Sequence, residues 1–78
     1  MGKLFNAAVG ATVGMAKMAG ERNRRAYELN NMGVSIAERG DKIRGLDYLY
    51  EAESLMPSDE ELRRAIRINI RRIERELW

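Results

Sequence analysis

The chain has 78 residues, no Cys, no His, a formal net charge of +2, and 45% hydrophobic and 33% charged residues. That length points to one domain, whose single core rarely supplies more than ~3–5 kcal/mol, and the missing Cys and His exclude disulfides, thiolate or imidazole metal sites, Cys nucleophiles and imidazole bases. No Asp/Glu cluster has calcium-loop spacing, and with one Pro and few β-branched runs the expected fold class is all-α.

Residues 1–22 are rich in Gly, Ala and Met and carry mostly basic charge, Lys3, Lys17 and Arg22 against Glu21. The uncharged run from Leu4 to Ala16 is shorter than the ~20 apolar residues a spanning helix needs. A helix that packs on something is the expectation. Gly10 and Gly14 form G-x-x-x-G, and Ala7 with Ala11 repeats the small-x-x-x-small spacing, which lets a second helix approach closely. Three occupants of that face stand open: the rest of this chain, another subunit, or a membrane surface flanked by Lys3 and the Arg-rich stretch after Glu21.

A second helix starts near Glu21 or Asn23, with Ala26, Leu29, Met32 and Ile36 at helical spacing. Gly33 sits in its interior, where glycine costs about 1 kcal/mol relative to alanine. Gly40 suits the left-handed residue that ends a helix, and Asp41 the next N-cap. The helix that follows carries Ile43, Leu46, Leu49, Tyr50, Ala52 and Leu55 and stops before Pro57. So short a link requires an antiparallel hairpin. A last helix begins at a capping box, Ser58 with Glu61 three positions on. It buries Leu62, Ala65, Ile66, Ile70, Ile73 and Leu77, shows a basic row of Arg63, Arg67 and Arg71, and offers Glu60–Arg64 and Arg72–Glu76 pairs.

The hairpin resembles a single tetratricopeptide repeat. That family has a period of about 34 residues and the pattern W-x-x-L-G-x-x-Y, A-x-x-x-F, P. Here Leu29, Met32, Gly33 and Ile36 fill the first part, Gly45 and Leu49 the second, Ala52 is a further small position, and Pro57 closes a unit running from Ala26 to Asp59. Leu29, Ile36, Leu49 and Gly45 depart from the consensus residues but keep their size class. The resemblance implies that Gly33, Gly45 and Ala52 lie where helices come close and that the large residues fill the space around them. It divides the chain into the N-terminal helix (1–22), the repeat-like hairpin (23–59) and a C-terminal solvating helix (60–78), polar outside. It also implies a peptide-binding face at Tyr27, Asn30, Asn31, Val34, Ala37 and Glu38, with Asn31 best suited to bond a peptide backbone.

Repeats of this kind need at least three copies to bury a continuous core. The expected function is therefore a non-enzymatic protein–protein interaction module, a small assembly subunit or adaptor that joins copies of itself or a larger complex. A membrane-surface subunit anchored by residues 1–22 is the alternative. Nucleic-acid binding is disfavoured, since acids interleave with the arginines of the last helix. Catalysis has no nucleophile–base pair, phosphate loop or metal spacing to rest on, and no cofactor is expected. The location expected is cytoplasmic, with peripheral membrane attachment as the variant reading.

Overall fold

The computed structural model describes residues 20–78. Three helices account for most of them: α1 (Glu21–Glu38), α2 (Lys42–Ser54) and α3 (Glu60–Leu77), with no strand among the described residues. The fold is all-α. The N-terminal packing helix expected before Glu21, with Ala7, Gly10, Ala11 and Gly14, lies outside the described residues.

The α1–α2 turn follows from local chemistry. Gly40 takes φ 110, the left-handed conformation that glycine reaches without a Cβ clash. Its N–H donates to the Ala37 carbonyl at 3.0 Å and the Asp41 N–H to that of Ile36 at 3.2 Å, which satisfies carbonyls that the helix end would leave orphaned. Asp41 then caps α2, its Oδ1 accepting from the Arg44 N–H at 3.1 Å.

Two glycines set how closely α1 and α2 approach. A Cβ on Gly33 would stand 2.7 Å from the Gly45 carbonyl oxygen, and a Cβ on Gly45 would stand 2.7 Å from the Gly33 carbonyl oxygen. Leu49 and Ala37 close the crossing on either side, each 2.9 Å from the added atom. The cost of an interior glycine is thus offset by direct backbone approach. Leu29, Leu49 and Ala52 around it are fully buried. Met32 departs from expectation: it is 45% exposed. One residue before Gly33, it points about 100° away around the helix, and the stripe that turns inward runs through Ala26, Leu29, Gly33 and Ala37 instead. Ile36 is half-buried.

α3 lies across the hairpin and completes the core with Leu62, Ala65, Ile66, Ile70 and Ile73. Its start differs from the capping box expected at Ser58. Asp59 is the N-cap, its Oδ1 accepting from the Leu62 N–H at 2.8 Å. Ser58 is drawn elsewhere: its Oγ accepts from Asn23 Nδ2 at 2.9 Å, while Asn23 Oδ1 accepts from the Asp59 N–H at 3.2 Å. One buried side chain of α1 thus clamps the α2–α3 link. In that link Met56 holds φ 51 ahead of buried Pro57.

Candidate interaction site

The residues implied as a peptide-binding face share one side of α1 but do not form an open surface. Asn30, Val34 and Ala37 are buried, Tyr27 and Asn31 are half-buried, and Glu38 is exposed. A helical wheel places these residues together but does not say what packs over them. α3 supplies part of the cover. Asn69 Nδ2 donates to Asn30 Oδ1 at 3.1 Å, and Asn30 Nδ2 to Asn31 Oδ1 at 3.4 Å. The Asn31 carboxamide is therefore engaged within the chain.

Asn69 itself escaped the sequence reading, because nothing local marks a polar residue between two isoleucine-rich turns as buried. It is fully buried, and its Oδ1 has no hydrogen-bond partner. Burying amides is tolerable when they bond each other and costly when one is stranded. Asn69→Ala is expected to lower stability by about 1–3 kcal/mol, since it strands Asn30 Oδ1. The double variant Asn30→Leu/Asn69→Leu should unfold at a higher urea concentration than that single variant. A double variant weaker than Asn69→Ala would show that the amides do more than satisfy one another.

A polar edge joins α2 to α3. Lys42 Nζ lies 3.2 Å from Glu76 Oε1, so Glu76 pairs across the helices and not with Arg72 as its spacing suggested. The expected Glu60–Arg64 pair does form, at 3.7 Å and well exposed. The Tyr50 hydroxyl donates to the Glu74 carboxylate. That hydrogen bond first, then burial and the charges of Glu74, Glu53 and Asp47, pushes the Tyr50 pKa up from 10.0 to about 12. A folded pKa above the unfolded one gives a contribution fully present below pH 10 and lost as pH rises through about 12. In an ultraviolet pH titration one of the 3 tyrosines should ionise later than the others. Tyr50→Phe should abolish that late phase; if all the tyrosines of the parent chain ionise together near their ordinary value, the bond to Glu74 does not persist in solution.

The same edge leads to an apolar end. Lys42 and Glu76 bring the start of α2 beside the finish of α3, and there Ile43 is 65% and Trp78 81% exposed. On the opposite side of the bundle a cleft of about 300 Å³ is lined by Glu53, Met56, Pro57, Arg63, Ile66 and Arg67. Arg63 is held there by bonds from its Nη1 to the Pro57 and Ser58 carbonyls, so it leaves the basic row expected with Arg67 and Arg71.

No group of three or more acidic side chains among the described residues could hold a metal ion. No described helix is long and apolar enough to cross a membrane. Compared with protein-family models, with curated proteins and with solved structures, the chain matches none.

Proposed function

We propose that this chain is a non-enzymatic protein–protein interaction module, a small assembly subunit or adaptor built on a repeat-like hairpin of the tetratricopeptide type. The observation that carries the reading is the apolar end of the bundle, where Ile43 and Trp78 stand largely in water beside the Lys42–Glu76 pair. Large amphipathic aromatics with polar neighbours are the usual anchors of protein interfaces. The Gly33–Gly45 crossing supports the repeat resemblance, because it gives the two small positions the spacing role that the family pattern implies. Repeat units bury their remaining faces against neighbours, which accords with assembly as the role. Attachment to a membrane surface through residues 1–22 is the lesser reading and draws on no described contact.

The chain holds 1 tryptophan, so Trp78 reports its own environment. Sedimentation velocity should show a mass above 8.9 kDa that rises with concentration, accompanied by a blue shift of Trp78 emission. Ile43→Ser and Trp78→Ser should each return the monomer. The reading fails if the chain stays monomeric with water-like emission throughout and carries no stoichiometric protein when isolated from its native source.

A further inference from the structure

The acids of α3 alternate with its arginines in sequence but not in space. Glu60 and Glu61 are confined to the first turn. Glu74 turns to Tyr50 and Glu76 to Lys42, both toward α2. Between Arg64 and Arg75 the exposed residues are Arg64, Arg67, Ile68, Arg71 and Arg75, with Arg72 and Glu74 half-buried, and Glu76 beyond them is exposed. Arg67, Arg71, Arg72 and Arg75 are in no ion pair among the described residues. Arg67, Arg71 and Arg75 stand four apart, and like charges at that spacing repel one another and weaken a helix. The fold accepts this repulsion: among the described residues no carboxylate stands within ion-pair distance of the three, although Glu53 shares a cleft with Arg67.

We infer that this outer face of α3 docks on the phosphate backbone of duplex DNA, with the helix lying along the major groove. Magnitudes separate the possible polyanions. Carboxylates on a folded partner would add only exposed ion pairs, whose net contribution is small. Phosphodiesters add counterion release at every contact and match the guanidinium fork. A bilayer needs an apolar face to bury, and between Arg64 and Arg75 this face has only Ile68, 37% exposed. Single strands are held by stacking successive bases on several aromatic side chains; that stretch has none, and the exposed Trp78 just beyond it offers a single platform. The groove of B-form DNA is about 12 Å wide and admits an α-helix, whereas the deep groove of A-form RNA does not. Arg64 to Arg75 covers about 17 Å of helix, and Arg67 and Arg72 diverge by about 140° around the axis. They are placed for opposite phosphate walls, with Arg71, Arg75 and Ile68 between them. Ile68, Arg71, Arg72 and Arg75 already line one shallow depression.

The test is fluorescence anisotropy of the full chain with a labelled mixed-sequence DNA duplex across a salt series. With four phosphate contacts, log K should fall with log salt at a slope of about −3.6. Arg71→Gln/Arg75→Gln should weaken low-salt binding at least about tenfold and flatten the slope by about 1.8, with an unchanged far-ultraviolet circular dichroism spectrum. Arg24→Gln, on an exposed residue 3.8 Å from Glu21 in α1, should bind as the parent does. Single-stranded DNA, duplex RNA, phosphatidylserine vesicles and polyglutamate complete the comparison, and each should bind more weakly than duplex DNA. The inference is overturned if the duplex does not bind at low salt, if the double variant binds with the parent slope, or if any of those four ligands binds more tightly.

Discussion

Gly33→Ala lowers the unfolding free energy by about 1–3 kcal/mol, the magnitude usual for overpacking. On an open helix the same change would raise stability by up to about 1 kcal/mol, so the sign is the informative part. The added methyl group meets the Gly45 carbonyl at 2.7 Å, and a backbone atom cannot rotate aside as a side chain can. Either α2 retreats and opens the space around Leu49, or α1 bends. Gly45→Ala meets the reciprocal obstacle at the Gly33 carbonyl and should cost a similar amount. The two changes should be less than additive, because the first already separates the helices that the second would push apart. Urea unfolding of the two single variants and the double variant measures this. Stabilisation by either single change would mean that the crossing is looser than the described geometry.

Leu49→Ala is expected to be among the most damaging core truncations. Leu49 is fully buried and borders the glycine crossing. Emptying such a site costs about 2–5 kcal/mol, the lost transfer energy plus the cavity that remains. A chain this short has a total of ~3–5 kcal/mol to lose. The variant should therefore be substantially unfolded at room temperature, with a broad, weak thermal transition by circular dichroism. Leu77→Ala, on a half-buried residue in the last turn of α3, should keep a cooperative transition. Equal melting of the two variants would show that the core is not centred on the hairpin.

The hairpin was legible in the sequence because its determinants are local. Gly40 and Asp41 fix the reversal through one left-handed residue and one cap, and both signals lie within a few residues. The missed features depend on residues far along the chain. Ser58 has the right type and spacing to cap α3, but Asn23 recruits its hydroxyl from 35 positions away, and the cap passes to Asp59. Met32 fits an apolar repeat every three or four residues, yet the helix is rotated by the need to seat Gly33 against Gly45, which leaves Met32 outside. Asn30 and Val34 belong to the expected ligand face and are buried, since helical spacing groups residues without saying what covers them. The basic row of α3 was legible as Arg63, Arg67 and Arg71, but its actual membership was not, for a related reason: Arg63 is drawn to the Pro57 and Ser58 carbonyls. Glu74 and Glu76 count as neighbours of Arg72 and Arg75 in sequence, and only the position of α2 shows that they turn away.

The Asn23 clamp has a consequence for the order of events in folding. Its partners Ser58 and Asp59 lie 35 and 36 positions away, whereas the α1–α2 contacts close through a link of only three residues, Arg39–Asp41. Closing the longer loop costs more chain entropy before any contact offsets it, so Asn23→Ala is expected to speed unfolding and leave the folding rate nearly unchanged, which stopped-flow kinetics measures. Interactions formed after the barrier govern the rate of escape from the native state and not the rate of arrival. On that expectation Asn23 acts as a latch, prolonging the lifetime of the folded bundle without hastening its formation.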